Sequence, residues 1–154
     1  MAKPLSAGIL LYRLQAGALQ VFLVHPGGPF WQRKDVGAWS IPKGEFAAGE
    51  DPLEAAKREF QEETVLSIEG TFTELKPIKQ RGGKMVCAWA VAADFDASQV
   101  KSNTFTIEWP PKSGKQTEFP EVDLGEWFDM NTAIEKINEG QRELLTQLNH
   151  ILMV

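Results

Sequence analysis

The fold is decided by residues 44–66, which read GEFAAGEDPLEAAKREFQEETVL. Asp51 followed by Pro52 predicts the start of a helix, because aspartate is a favourable N-cap and proline is tolerated in the first turn. We expect this helix to run to Thr64 or Val65. Its length and its charges make it the segment from which the rest of the chain can be interpreted.

The predicted helix has two different faces. The first is apolar and comprises Leu53, Ala56 and Phe60. The second lies roughly 100° away at 3.6 residues per turn and comprises Glu59, Glu62 and Glu63. Like charges at this spacing repel by a few tenths of a kcal/mol per pair, and the negative end of the helix dipole adds to the cost. Such a cluster indicates either a solvated acidic face or a site for a hard divalent cation such as Mg²⁺ or Mn²⁺.

The whole segment resembles the Nudix box, G-x(5)-E-x(7)-R-E-U-x-E-E-x-G-U, where U is a bulky aliphatic residue. The glycine and charged positions match at the required spacing, and they are Gly44, Glu50, Arg58, Glu59, Glu62 and Glu63. Phe60 departs from the pattern in place of an aliphatic residue, and Val65 in place of the last glycine. Because a β-branched residue is poorly suited to a left-handed C-cap, we expect the helix to end differently there or to be locally strained.

The resemblance implies a fold as well as a motif. Ser6-Ala7-Gly8, the approach Trp39–Gly44 and Trp127-Phe128 also look like Nudix features. The implied fold class is α+β, a Nudix-type α/β/α sandwich with a mixed β-sheet and the catalytic helix packed on it. We expect residues 1–154 to form a single Nudix hydrolase domain.

The resemblance assigns metal-binding roles to the acidic face. Glu59 and Glu63 are expected to be the principal ligands of Mg²⁺, for which Mn²⁺ can substitute, and Glu62 is expected to share an ion. The backbone carbonyl of Lys43 is the expected ligand that is not a carboxylate. The family commonly adds another glutamate from beyond the box as ligand or general base, and Glu118 and Glu121 are both candidates here.

Three positions of the box are expected to be structural. Glu50 and Arg58 resemble its internal ion pair, which holds the loop against the helix, and Gly44 is the box glycine. Arg58 is also counted among the candidate catalytic residues because it stands beside the ligands.

Substrate contacts can be predicted only by residue type. The ammonium group of Lys43 is a candidate for contacting phosphate, and Phe30, Trp31 and Trp39 are candidates for stacking on a base. Weaker candidates for phosphate contacts are Arg81, Lys84, Lys112 and Lys115. For each of them an ordinary role as a core, loop or exposed surface residue is the competing interpretation.

Composition limits the possible partners. The 154 residues carry a net charge of −5, which argues against a broad surface for nucleic acid or an anionic membrane. A small anionic nucleotide bound through metal ions remains compatible with this charge. The single cysteine, the lack of a secretion signal and the lack of a long apolar run make a cytoplasmic location the default expectation. Either a monomer or a homodimer fits the sequence.

Hydrophobic patterns outline the remaining elements. The predicted strands are 5–12, 19–24, 39–42, 71–80, 84–95, 104–109 and 126–128, and the predicted later helices are 130–138 and 141–153. Residues 15–18 are expected to form a turn, and 25–37 and 110–115 to form loops.

Within the resemblance, the predicted function is Mg²⁺-dependent hydrolysis of a phosphoanhydride bond in a nucleoside diphosphate linked to another group. A dinucleoside polyphosphate is the first expectation for the substrate, since the approach to the box resembles diadenosine polyphosphate hydrolases. The alternatives are ADP-ribose or another nucleotide sugar, and an oxidised or ordinary nucleoside triphosphate. A nucleotide-binding regulator without catalysis is the competing class, but it would be expected to have damaged ligand positions.

Overall fold

Strands precede and follow the acidic helix in the computed structural model, which describes residues 5–80 and 82–152. In that part of the chain the strands are β1 (Leu5–Gln15), β2 (Ala18–Pro26), β3 (Lys43–Glu45), β4 (Thr73–Glu74), β5 (Ile78–Lys79), β6 (Met85–Ala92), β7 (Thr104–Glu108), β8 (Gln116–Pro120) and β9 (Val122–Asp129). The helices are α1 (Pro52–Thr64), α2 (Met130–Lys136) and α3 (Arg142–Leu152). Short 3₁₀ turns lie at Ala97–Gln99 and Glu139–Gln141. None of the described helices is long and apolar enough to cross a membrane.

The main sheet is mixed and is built around β1. Its principal order is β4-β6-β1-β2-β9, with β3 also paired to β1 and β5 to β6. β1 runs parallel to β6 and antiparallel to β2 and β3. The turn between β1 and β2 is Ala16-Gly17, in which both residues have positive φ, as a tight hairpin turn requires.

Helices cover both faces of this sheet. On one face, α1 buries Ala55, Ala56 and Phe60 against alternate residues of β1, among them Ile9 and Leu11. On the other face, α2 and α3 pack against the opposite alternation, and their buried residues include Ala133, Leu144, Leu145 and Leu148. Burial on both faces explains why the middle of β1 is an unbroken apolar run. The predicted α/β/α sandwich with a mixed sheet is confirmed.

The acidic helix begins and ends where the sequence predicts. Asp51 caps its N-terminus, accepting a hydrogen bond from the Glu54 amide at 3.0 Å. At the other end Val65 adopts a left-handed conformation, with φ of 68°, and its amide donates to the Gln61 carbonyl. The expected local strain is therefore present, because a β-branched residue occupies a conformation that favours glycine.

Several predicted boundaries need correction. Residues 39–42 do not form a strand; they make isolated bridges, Val24 to Ser40 and Trp39 to Ile137, and the strand follows at Lys43. The predicted strand 71–80 is broken into the two short strands β4 and β5. The predicted strand 126–128 is the end of the longer β9. Met153, at the predicted end of the last helix, lies outside the described residues.

β7 and β8 form a separate two-stranded sheet. Its register pairs Phe105 with Phe119, and the two side chains lie on one face. The Phe105 ring lies beneath Gly28, where an added Cβ would come within 2.8 Å of it. The hairpin thus packs on the loop after β2, and it leads directly into β9.

Candidate functional site

The acidic face of α1 is anchored by Arg58. Its guanidinium pairs with Glu50 and contacts Glu59 Oε1 at 3.4 Å and Glu62 Oε1 at 3.8 Å. The predicted ion pair between Glu50 and Arg58 is therefore present. This pair joins the loop before α1 to the helix itself. Arg58 is thus one cation in contact with three carboxylates.

Gly44 provides room for the Glu59 side chain. A Cβ added to Gly44 would lie 2.2 Å from Glu59 Cδ, closer than any side chain can approach. The carboxyl group of Glu59 therefore packs against the bare Cα of β3. This contact gives the glycine of the motif a specific structural reason, as the sequence predicts in general terms.

Glu121 is brought to the acidic helix by a chain of backbone hydrogen bonds. The amide of Asn103 donates to the Glu62 carbonyl, and the amide of Glu121 donates to the Asn103 carbonyl, both at 2.8 Å. On its other side, the Glu121 carbonyl accepts from the Gly27 amide at 2.9 Å. An added Cβ on Gly27 would meet the Pro120 carbonyl oxygen at 2.0 Å, so glycine is required for this approach.

Glu118 is placed differently. It lies within β8 rather than in a loop, it is exposed, and its register partner is Thr106 of β7. The two glutamates were equivalent candidates at the sequence level, but only Glu121 lines the cavity beside α1.

Burial and mutual repulsion disturb the ionisation of this group. Burial, followed by the nearby charge of Glu59, raises the pKa of Glu63 to about 8, although the Lys43 ammonium opposes the shift. Burial and the charge of Glu62 raise the pKa values of both Glu59 and Glu121. Burial also lowers the pKa of Lys43. The ionised forms of these carboxyl groups are thus poorly stabilised by the protein groups around them.

A cavity of about 230 Å³ opens beside the cluster. One part of its wall is charged and comprises Lys43, Glu63 and Glu121. Another part is polar and uncharged and comprises Ser40, Gln80, Asn138 and Gln141. Apolar side chains, among them Val24, Ala38, Ile41 and Val122, complete the wall. The sequence analysis missed the four polar residues, because polar residues near loops and helix ends are ordinarily exposed and no motif distinguishes them.

The predicted stacking residues are found in three different settings. Trp31 lines the cavity and is 38% exposed. Phe30 is 64% exposed and packs edge-on against Trp109 at 5.5 Å between ring centroids. The structure does not support stacking by Trp39, which is 4% exposed, packs against Phe128 and donates its indole N–H to Asp35 at 2.8 Å.

The weaker candidates for phosphate contacts are dispersed. Lys84 pairs with Glu45 at 3.2 Å. Lys112 and Lys115 are exposed near the tip of the β7–β8 hairpin. Arg81 lies outside the described residues.

The carboxylate oxygens of this site are suited to binding a hard cation, although the described side chains are not already arranged around one. Within residues 5–80 and 82–152, no three acidic, histidine or cysteine side chains are arranged to hold a metal ion by themselves. Here Glu59 and Glu62 contact Arg58 instead. The carboxylates nevertheless supply the oxygen donors that Mg²⁺ and Mn²⁺ prefer, leaving room for water and phosphate oxygens to complete the coordination.

The fold and the site together define a class of protein: a sandwich in which a glycine-led loop and an acidic helix present carboxylates at a cavity. The sequence pattern of the NUDIX domain matches residues 2–148, and the chain belongs to that family. This family assignment confirms the predicted Nudix resemblance.

Individual relatives support the fold. An Ap4A hydrolase of C. elegans, in a binary complex, is 24% identical, with 96% of this chain and 97% of that chain covered and a TM-score of 0.67. The NUDIX domain of Shewanella oneidensis NrtR, complexed with ADP ribose, is 15% identical, with 99% and 90% covered and a TM-score of 0.67.

One curated relative is much longer than its segment that is similar to this chain. An octanoyltransferase of Myxococcus xanthus is 32% identical over 108 residues, which are 70% of this chain and 27% of that protein. This chain therefore spans about a quarter of that relative's length.

Proposed function

We propose that this chain uses Mg²⁺ to hydrolyse a phosphoanhydride bond in a nucleoside diphosphate linked to another group. The observation that carries the proposal is the convergence of the α1 glutamates with Glu121 and Lys43 at one cavity. Glu63, Glu121 and Lys43 line it together, although they come from three separate parts of the chain.

The residues fit the metal that the reaction needs. Glu59 and Glu63 are the proposed principal ligands, with Glu62 sharing an ion and the Lys43 carbonyl as a further ligand. The space above Gly44, which a Cβ would fill, is occupied by the carboxyl group of Glu59. When bound, Mg²⁺ neutralises phosphate charge and lowers the pKa of a coordinated water molecule.

The side chains of the protein have separate tasks in this scheme. Glu121 is held by its own backbone hydrogen bonds and is proposed to orient the attacking water and accept its proton. The ammonium of Lys43 contacts the substrate phosphates, and Trp31 offers a ring for stacking beside the cavity. Arg58 holds the glutamates in position through its contacts with Glu50, Glu59 and Glu62.

A dinucleoside polyphosphate is the proposed substrate class. The Pro42-Lys43-Gly44 approach to the motif and the similarity to the C. elegans Ap4A hydrolase support it. ADP-ribose or another nucleotide sugar is the second candidate, supported by the similarity to a NUDIX domain that binds ADP ribose. An oxidised or ordinary nucleoside triphosphate is the third.

The test is a phosphate-release screen of the purified protein with Mg²⁺ over these classes of substrate. We expect turnover of one class, and we expect Glu63→Gln to reduce kcat by on the order of 10²- to 10⁴-fold. Asn131→Asp, a change of similar size at an exposed position on α2, serves as the control and should retain activity.

The outcome of the screen separates hydrolase from regulator. Nucleotide binding without turnover, in either Mg²⁺ or Mn²⁺, would overturn the proposed hydrolysis and favour a nucleotide-binding regulator. Full activity in Glu63→Gln would remove this glutamate from the proposed ligand set.

A further inference from the structure

Three side-chain amides meet at the cavity. Gln141 is only 1% exposed, and it contacts Gln80, Ser40 and the backbone of Ile41. Asn138 lies three residues before Gln141 and joins it through a backbone hydrogen bond of 2.8 Å. Gln80, Asn138 and Gln141 all line the cavity. A few convergent polar groups in a partly apolar wall can fix the orientation of a ligand.

Backbone donors determine which way the amides face. An amide oxygen and nitrogen can be exchanged on geometry alone, so the hydrogen-bond network must assign them. The Ile41 N–H can only donate, at 3.1 Å, and therefore requires Gln141 Oε1. Gln141 Nε2 then donates to Ser40 Oγ at 3.0 Å and faces Gln80 Oε1 at 3.4 Å.

The same argument applies to Asn138. The Gly140 N–H donates to its Oδ1 at 2.8 Å, which commits the oxygen of this side chain. Both amide oxygens, those of Gln80 and Asn138, are therefore engaged within the protein. Among residues 5–80 and 82–152, neither of the two remaining NH₂ groups has a hydrogen-bond partner.

The cavity thus combines two unpartnered donors with apolar walls. Val24, Ala38, Ile41 and Val122 suit the faces of a flat ring, and the NH₂ groups suit acceptor atoms on its edge. The volume of about 230 Å³ is below the roughly 300 Å³ at which sites for whole drug-sized ligands begin. The cavity, its charged end included, can therefore enclose only part of a dinucleotide.

We propose that this part of the cavity is a nucleobase subsite that selects a ring edge bearing two hydrogen-bond acceptors. Guanine and hypoxanthine present such an edge through O6 and N7, whereas adenine places an amino donor at position 6. Adenine keeps the N7 acceptor, but its 6-amino group would face one of the two donors and leave that donor unpaired. The proposal rests on the proposed nucleotide hydrolysis and narrows its substrate to nucleotides with carbonyl-bearing bases. Among the candidates above it disfavours ADP-ribose and diadenosine polyphosphates, and it favours dinucleoside polyphosphates or nucleoside triphosphates that carry guanine or hypoxanthine.

The test compares inosine with adenosine, which differ in this edge. Each nucleoside is titrated into metal-free protein, and the dissociation constant is measured from NMR shifts of the protein amides. Nucleosides carry no phosphate, so the result does not depend on metal binding or turnover. We expect inosine to bind on the order of 10- to 100-fold more tightly.

Two variants invert the proposed recognition without removing the internal contacts. Asn138→Asp keeps an oxygen for the Gly140 amide, and Gln80→Glu keeps one for Gln141, but each replaces an NH₂ donor by an acceptor. We expect either change to lower the preference for inosine at least roughly 10-fold. Asn131→Asp, with the same change of charge outside the cavity, should leave the preference unaltered.

Each outcome decides the proposal. Equal affinities, a preference for adenosine, or a preference unchanged in both cavity variants would overturn it. Absence of binding by either nucleoside at its solubility limit would also overturn it. None of these results would affect the hydrolase proposal, which the phosphate-release screen tests separately.

Discussion

Two glutamates three residues apart show how strongly local backbone contacts decide a role. Glu121 is fixed between Asn103 and Gly27 and faces the acidic helix, whereas Glu118 lies exposed on β8. Both carry the same chemistry and the same charge. Their difference is one of position, which sequence spacing could not supply.

This pair provides a matched prediction. We expect Glu121→Gln to lower kcat by on the order of 10²- to 10⁴-fold, because a proton acceptor is removed from the cavity. Glu118→Gln should remain within about twofold of the original protein, because an exposed side chain outside the cavity changes little. Steady-state kinetics on the substrate found in the screen measure both. Equal losses in the two variants would contradict the assignment.

Gly44 and Gly8 form a second pair, on neighbouring strands. In Gly44→Ala the new methyl meets the mobile end of Glu59, so we expect Tm to stay within about 4 °C while Mg²⁺ affinity falls about 10-fold or more. In Gly8→Ala the methyl meets the Pro42 carbonyl oxygen at 2.7 Å, and the backbone itself must move. That variant should therefore lose stability as well. Thermal unfolding and Mg²⁺ titration distinguish the two, and a normal Mg²⁺ affinity in Gly44→Ala would refute the argument.

The helix α1 has a strained residue at its C-terminus. Val65 is 56% exposed with a φ of 68°, a conformation that costs an L-residue roughly 1–2 kcal/mol. We expect Val65→Gly to raise the free energy of unfolding by about 1 kcal/mol after the entropy cost of glycine, which corresponds to about 2–4 °C in Tm. Val65→Ala, which keeps a side chain in the same conformation, should gain less. A lower Tm in Val65→Gly would show that the valine side chain contributes more than its strain costs.

Elements with strong local signals could be predicted from the sequence, and those that depend on tertiary contacts could not. α1 was predicted to within a residue because its cap, periodicity and motif coincide. Residues 39–42 were misassigned as a strand because the extended backbone there pairs only through isolated bridges, to β2 on one side and Ile137 on the other. Trp39 is a candidate for base stacking at the sequence level for the same reason, since nothing nearby in the sequence reveals that Phe128 and His25 enclose it.

The residues of the candidate site also fall into those that local sequence predicts and those that only tertiary contacts bring together. The carboxylates of α1 and the Glu50–Arg58 pair follow from spacing within one motif. The amides of Gln80, Asn138 and Gln141 come from separate segments, and their common cavity exists only once the chain has folded.

Asp35 links the loop after β2 to the helix α2 on one face of the sheet. Its carboxylate accepts from the Lys136 ammonium and the Trp39 indole, and these hydrogen bonds hold the pKa of Asp35 below its ordinary value. A depressed carboxyl pKa stabilises the fold above the unfolded value of about 3.9 and loses that contribution as the pH falls through the folded value.

Asp35→Asn should therefore be less stable than the original protein at pH 7, by at most about 4 °C in Tm because the group is exposed. The difference should shrink as the pH falls below about 3.9. Thermal unfolding from pH 7 to pH 3 measures it, and a gap that widens in acid would contradict the sign. Lys136→Met, which removes the cation instead, should show the same trend.

The parallel pairing of β1 with β6 has a consequence for how the molecule assembles. It aligns Leu5 with Met85, so the centre of the sheet closes only when distant parts of the chain meet. Contacts between segments so far apart slow folding, because the intervening chain must be ordered before they form. β3 and α1 both pack on β1 and carry Lys43 and the glutamates, so the geometry of the site depends on that late event. During refolding, the protein should regain its activity with the slowest main phase, after the β1–β2 hairpin has formed.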